Sequence, residues 1–501
     1  TRPCARTRTS GTGRAAHDSG RPGCDNATML ATPDKPASPH AGAGVWDRSH
    51  RGLTIGLVLT VAFTAFEALA VATALPATVA DIGGLDLYGW TFSAFMLANL
   101  VGIVRGAALI DTRGPAAPFL LGVVAFVAGL GVAGFAPTMA VVVAGRVVQG
   151  FGAGAVSAVS YAVIASAYDE TVRPRMLALL SSAWVLPGLV GPALAGFVAD
   201  HVGWRPVFLG LVPPTLVAAA LAIPPLRRVP RIPHAIDEIA IRQRTGSALR
   251  LAVGVGAALL ATQADRWLEA VPLLLAGLGG FAVPALTRLM PPGTLRAAAG
   301  QPAAIVVMGL LGVAFFGAEA FLPLALTEVR GQSAAASGLP LTLGTIAWTA
   351  GSWIQERTAA RRSRRGMIAL GLVLLLAGVG GIGGVLETSV PVAIAYAAWS
   401  VTALGMGIGY STTALTILEH APPERAGEAS ASLQLATNLG IALGTGFGGA
   451  LLAAVTSAGG STAAGIAAAW AACAAALVLA LAVTPRLGMR PSDDVAREGA
   501  A

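Results

Sequence analysis

The chain has 501 residues, 55% of them hydrophobic and 12% charged, with a mean hydropathy of +0.72. Soluble domains carry roughly 25% charged residues, so this composition excludes an ordinary soluble domain and identifies a membrane protein. The formal charge of +8 does not point to nucleic acid, which would need arginines gathered with aromatics on one solvated face; here they lie in short clusters between hydrophobic runs. Lys35 is the only lysine, as expected of coding bias in a GC-rich bacterial genome. Cys4, Cys24 and Cys473 form no disulfide framework and have no metal-binding spacing.

Residues 1–50, rich in Arg, Pro, Gly, Ser and Thr, lack the apolar core of a signal peptide and read as a disordered segment. The chain opens on Thr1 and first reaches a methionine at Met29, as expected if part of this segment, within residues 1–28, precedes the natural start. A membrane crossing then needs about 20 mostly apolar residues for a hydrocarbon core of roughly 30 Å. Fourteen runs meet that need, near 53–76, 88–110, 116–136, 138–163, 176–199, 206–226, 248–264, 268–288, 302–326, 336–355, 366–386, 391–414, 428–455 and 462–484. The seventh is short and the eighth contains Pro284.

Arginines near helix ends stay on the cytoplasmic side. With both termini inside, the cytoplasmic segments hold clusters such as Arg227, Arg228 and Arg231 or Arg361, Arg362, Arg364 and Arg365, while the opposite loops hold only Arg205, Arg266 and Arg330. An even number of crossings follows.

The chain also repeats itself. GFGAG at Gly150 to Gly154 returns as GMGIG at Gly405 to Gly409, GPALAG at Gly191 to Gly196 has an echo in GTGFGG at Gly444 to Gly449, and Glu67 has a counterpart in Glu319. The three offsets are close to one another and imply two six-helix halves, 51–227 and 301–485. Between them lies a linker with two inserted helices, 228–300, and a cytoplasmic tail follows at 486–501. Duplicated halves around a site at the bilayer midplane are a common design of secondary transporters; chance recurrence in a chain with 63 glycines is the plainer account of any single match.

An ionisable side chain at bilayer depth is costly, about 3 kcal/mol on insertion scales, so such residues usually face a partner or a water-filled cavity. Glu67, Arg146 and Glu319 stand out in this way. A carboxylate whose proton affinity depends on what occupies a cavity is suited to carry protons; a static pair that only fixes helix packing is the competing account. Asn99, Gln149, Trp184, Gln434 and Asn438 are the expected cavity-facing groups, because polar or aromatic side chains inside lipid-length helices seldom face lipid.

RVVQGFGAG, from Arg146 to Gly154, resembles the RxxQGxGA pattern of the major facilitator superfamily. LVGPALAGFVAD followed by GWRPVF, Leu189 to Phe208, resembles the fifth-helix motif of its antiporters. FEALAVATALPATVADIGG, from Phe66, is similar to the first helix of the fourteen-helix drug:proton antiporters, with Glu67 where that family usually has Asp. The resemblance covers nearly all of residues 53–484. It implies an all-α fold of two six-helix halves with two inserted helices, a part for Arg146 in proton transfer, and a close-packed, pliable helix interface at Gly188, Gly191, Pro192 and Gly196. It also implies a gating contact at Asp111, with Arg113 supplying a charge. There the chain departs from the pattern GxLaDRxGRK: Ala107 replaces the first glycine, Pro115 and Ala116 the basic pair, and Gln355 stands where the second half would have its aspartate.

Other chemistries fail on context. A dinucleotide loop needs a preceding strand and a soluble βαβ unit, whereas GFGAGA lies inside a lipid-length helix; no GxxxxGK[ST] can exist with lysine only at position 35. The six histidines have no ligand spacing, and no nucleophile is paired with a base. The expectation is therefore a proton-driven exporter of small lipophilic cations, a non-enzyme without cofactor or metal. Its partners are protons, a small-molecule substrate and the lipid bilayer, with no nucleic acid, and it acts as a monomer in a bacterial plasma membrane. Export of an endogenous metabolite, proton symport, or a non-transporting sensor on the same fold are the alternatives.

Overall fold

In hydrocarbon every backbone amide must be satisfied within its own segment, and an apolar chain does this as helix. The structure, a computed structural model, describes residues 44–47, 50–169, 171–229, 238–263, 266–359, 361–422 and 425–488, and among these there is no strand. The expected disordered segment before residue 44, Arg231, and the tail beyond residue 488 lie outside the described residues.

The helices are α1 (Arg51–Ile82), α2 (Tyr88–Arg113), α3 (Ala116–Gly134), α4 (Met139–Ala167), α5 (Arg173–Ser182), α6 (Val185–His201), α7 (Arg205–Leu209), α8 (Val212–Leu226), α9 (Glu238–Ala261), α10 (Trp267–Leu275) and α11 (Val283–Leu289). They continue with α12 (Gln301–Leu324), α13 (Ala334–Thr358), α14 (Arg364–Ile382), α15 (Val392–Glu419), α16 (Ala426–Ser457) and α17 (Thr462–Val483). Among the described residues, twelve helical runs are long and apolar enough to cross a membrane. Helices α9 and α13, of 24 and 25 residues, take the seventh and tenth places. These two are helical where runs were expected but fall outside the twelve, because they carry more polar side chains.

Three runs expected to be single regular helices are interrupted, each beside proline. Pro187 has no N–H to offer the carbonyl of Ala183, and the chain breaks between α5 and α6. Pro213 and Pro214 separate α7 from α8 in the same way. The eighth run passes through a wide π-helical stretch, Ala276–Ala282, ahead of Pro284.

The repeat exists as a packing scheme with a shifted register. Helix α4 lies against α2 and α3 as α15 lies against α13 and α14. A methyl group on Gly150 or Gly154 would stand 2.1 Å from a carbonyl oxygen of α2, and one on Gly152 2.4 Å from a carbonyl of α3. In α15 the order is exchanged, because Gly405 abuts α14 and Gly407 abuts the Trp348 carbonyl of α13. The offset of 255 read from the sequence therefore aligns glycines that face different neighbours, and the spatial counterparts are two residues away.

Helices α1 to α8 meet α12 to α17 chiefly where α2 packs on α16 and α6 on α13. The inserted helix α9 lies against both α2 and α16, with Gln263 accepting a hydrogen bond from Trp90 Nε1 at 3.1 Å and donating to the Asp86 carbonyl at 3.2 Å. The seam is tight at the end where α1 finishes and α13 begins. Tyr88 donates to the Ala320 carbonyl at 2.9 Å, and Asp200, at the end of α6, accepts from the amides of Ala334 and Ala335 at 2.8 and 2.9 Å. The carboxylate thus caps α13 across the seam, where the amides are unsatisfied and the helix dipole favours a negative charge.

Hydrogen bonds to a charged acceptor contribute roughly 1.5–3 kcal/mol each. Asp200→Ala is expected to loosen this closure, so that a cysteine placed at Thr445 in a cysteine-free background reacts about tenfold faster with an impermeant thiol reagent added on that side. An unchanged rate would show that Asp200 does not hold the seam shut.

Candidate functional site

Arg146 and Gln149 are three residues apart on α4 and so share a helix face, while Glu67 projects from α1. Arg146 is 2% exposed and Glu67 and Gln149 are fully buried. Arg146 is ion-paired with Glu67, donates from the same Nη1 to Gln149 Oε1 at 3.0 Å and from Nε to the Thr91 carbonyl at 3.1 Å. Its guanidinium lies 4.2 Å from the ring centre of Phe95, a cation–π contact strengthened by burial. These contacts tie α1, α2 and α4 to one charge. Glu67 Oε2 and Gln149 Nε2 have no hydrogen-bond partner among the described residues. An oxygen that accepts no hydrogen bond can take a proton without breaking one.

Arg146 also borders a central cavity, together with Ala68 and Ala72 of α1, Phe92 and Met96 of α2, Phe316, Glu319 and Ala320 of α12, and Ile441 and Thr445 of α16. Its volume is about 50 Å³, room for a few water molecules at roughly 10–15 Å³ each. Sites for drug-sized ligands measure about 300–1,000 Å³, so a substrate requires the surrounding helices to part. Glu319 is half-buried in this wall and has neither an ion pair nor a hydrogen bond among the described residues.

The residues singled out in the sequence fall in different places. Arg146 and Glu319 meet at the cavity. Glu67 does not line it but is ion-paired with Arg146, which does. Gln149 is part of the same buried polar group. Asn438 donates to Asn99 at 3.1 Å, joining α16 to α2 across the seam, though neither residue is in the cavity wall. Trp184 and Gln434 were expected to face the cavity and do not line it. Trp184 is 49% exposed at the break between α5 and α6, and Gln434 is an exposed residue in the first half of α16. Polarity inside an apolar run did not separate a cavity face from an exposed one.

Gly188 packs against Thr345 and Gly196 against the backbone of Ala334 and Ala335, both on α13, leaving no room for a side chain. A methyl group on Gly191 would only be in ordinary contact with Phe66, at 3.5 Å, and the Pro192 carbonyl lies over Gly338. Asp111 and Arg113 are exposed and unpaired among the described residues, at the end of the bundle opposite the Asp200 closure, whereas Gln355 is buried. Asp200, Thr91, Phe95 and the apolar walls from Phe92 to Thr445 were not anticipated. The α12 wall was legible as positions 316, 319 and 320 on one helical face, but Asp200 is 134 residues from its partner and left no local signal.

Residues 57–445 match the family model described as Major Facilitator Superfamily. The chain is 30% identical over 341 residues to an uncharacterized MFS-type transporter of Mycobacterium tuberculosis, an alignment covering 64% of this chain and 48% of that protein. The chain thus spans about half the length of that relative. It is 26% identical over 432 residues to the multidrug transporter protein MdtP of Bacillus subtilis, covering 81% of this chain and 76% of that one. In fold it is similar to a bacterial homolog of the human lysosomal transporter Spinster, with a TM-score of 0.63 at 16% identity over 87% of this chain and 96% of the other. The D-xylose-proton symporter gives a TM-score of 0.61 at 16% identity, covering 88% and 98%.

Removing one partner of a buried ion pair strands the other charge and costs about 3–5 kcal/mol, whereas replacing both by apolar groups is often neutral. Arg146→Met is therefore expected to lower the melting temperature of the purified protein, and Glu67→Leu combined with Arg146→Met to recover most of that loss. Additive losses in thermal unfolding would mean that the pair is not energetically coupled.

Proposed function

Since the chain belongs to the Major Facilitator Superfamily, we propose that it exports small lipophilic cations in exchange for protons. It is a multi-pass membrane transporter of small molecules and not an enzyme. The finer reading rests on one observation: Arg146 belongs at once to a buried pair with Glu67 and to the wall of the cavity that holds Glu319. With Glu67 ionised, the Arg146 charge is compensated and a cation can rest against Glu319. Protonation of Glu67 removes that compensation, and Arg146 then presents an unpaired positive charge beside Glu319. It competes for the carboxylate and repels the cation, an interaction that is strong where little water screens it. Proton and substrate thus exclude one another without touching the same atom.

The apolar and aromatic lining, from Phe92, Met96, Phe316 and Ile441, suits a lipophilic body. In this reading the arginine-rich loops face the cytoplasm of a bacterial cell, the Asp200 closure faces outward, the cavity opens inward, and a monomer driven by the proton gradient carries out the cycle. The name of the Bacillus subtilis relative is that of a multidrug transporter, which agrees with export of foreign compounds.

In proteoliposomes, ethidium added to the wild-type protein is expected to produce proton movement opposite to that of the dye. Glu67→Gln, which stands in for the protonated carboxyl, should insert but bind ethidium more weakly and show no coupling of dye to protons, and unchanged coupling would remove Glu67 from the mechanism. Glu319→Gln should weaken binding of cationic compounds at least tenfold while leaving neutral ones unaffected. Equal effects on both classes, or proton flow in the direction of the substrate, would favour export of an uncharged metabolite or symport.

A further inference from the structure

The inserted helices carry a feature that the transport cycle does not use. On α9, Arg242, Gly246 and Arg250 recur at intervals of four and lie on one face, and α11 ends with Arg288 in its last turn, where its carbonyls favour a cation. These residues and Gln243 surround a concave space of about 470 Å³. All three arginines are exposed, and none has an ion pair or hydrogen bond among the described residues. A methyl group added at Gly246 would meet nothing within 4 Å, so the space is open down to the helix backbone. Three guanidinium groups around one hollow repel one another unless an anion lies between them, and the planar forks of arginine match the oxygens of a phosphate.

Apolar surface continues from this hollow toward the membrane interior. One and two turns along α9 lie Leu249 and Val253, 53% and 51% exposed, and seven residues before Arg288 lies Phe281, 42% exposed. The site therefore offers a charged pocket at a helix end and an apolar strip beside it, the two-part surface that an amphiphile requires. We infer that the foot of the α9–α11 pair binds an anionic phospholipid, its phosphate held by Arg242, Arg250 and Arg288 and its acyl chains lying along Leu249, Val253 and Phe281. Basic pockets between helices at the arginine-rich side of a membrane are suited to such headgroups. Because α9 touches both α2 and α16, an occupied site steadies the inserted pair against the seam of the transporter.

The full-length protein, purified in detergent and stripped of lipid, is to be titrated with dioleoyl phosphatidylglycerol, dioleoyl phosphatidylcholine or inorganic phosphate and followed by native mass spectrometry and thermal unfolding. Phosphatidylglycerol is expected to remain bound and raise the melting temperature, while phosphatidylcholine and inorganic phosphate do neither. The variant R242Q/R250Q/R288Q should bind phosphatidylglycerol at least tenfold more weakly yet melt like the wild type without lipid; R288Q alone carries the test if the triple variant does not fold. The comparison variant R175Q/R227Q/R228Q, which loses three arginines exposed elsewhere at the same end, should bind as the wild type does. Equal weakening of both triple variants, equal binding of phosphatidylcholine, or equal stabilisation by inorganic phosphate would overturn the proposal.

Discussion

A guanidinium group held almost wholly out of solvent constrains the rest of this molecule. Arg146 can persist at that depth only because Glu67 supplies the opposite charge and Gln149, the Thr91 carbonyl and the Phe95 ring surround it. Those partners come from α1, α2 and α4, so one side chain fixes the relative positions of three helices. The arrangement is incomplete beside the arginine, where Glu67 Oε2 and Gln149 Nε2 have no partner among the described residues. A buried network with vacant valence at one known place can change its protonation there while the surrounding helices stay packed.

Around that group the helices pack on small residues, and the same property serves two ends. In lipid there is little hydrophobic force between helices, so close approach of backbones through glycine and alanine supplies the attraction. The contacts of α4 with α2 and α3 occur within a set of neighbouring helices and are extensive. The contacts of α6 with α13 and of α2 with α16 cross between sets and are drawn tight at one end by Asp200 and Tyr88. Interfaces of smooth, small surfaces separate without unlocking interdigitated side chains. The cavity of about 50 Å³ is smaller than the roughly 300–1,000 Å³ of a site for a drug-sized ligand.

Much of the architecture was legible in the sequence because membrane helices are written in composition. Runs of apolar residues, punctuated by arginines on one side, determined the order and approximate bounds of the long helices, since lipid thickness sets their length. Glu67, Arg146 and Glu319 were legible for the same reason: in such runs a charge is an anomaly that requires a partner. The resemblance to the superfamily rested on short motifs around these residues, and the family model matches residues 57–445 of the stretch it was read over.

Which partner each charge takes was decided only in three dimensions. Sequence spacing places Glu67 and Glu319 in corresponding positions, yet one is buried in a pair with Arg146 and the other lines the cavity without an ion pair among the described residues, because Arg146 is held by Glu67. Trp184 and Gln434 illustrate the same limit: helical periodicity assigns a residue to a face, but what that face meets depends on the tilt and break of the helix. The cap of α13 by Asp200 and the basic hollow beneath α9 and α11 likewise unite residues far apart in the chain. Composition and periodicity therefore determined that the chain spans a membrane as helices and where charge interrupts them, whereas tertiary packing decided which charges are neutralised and which remain exposed, since a charge's energy depends on its neighbours in space.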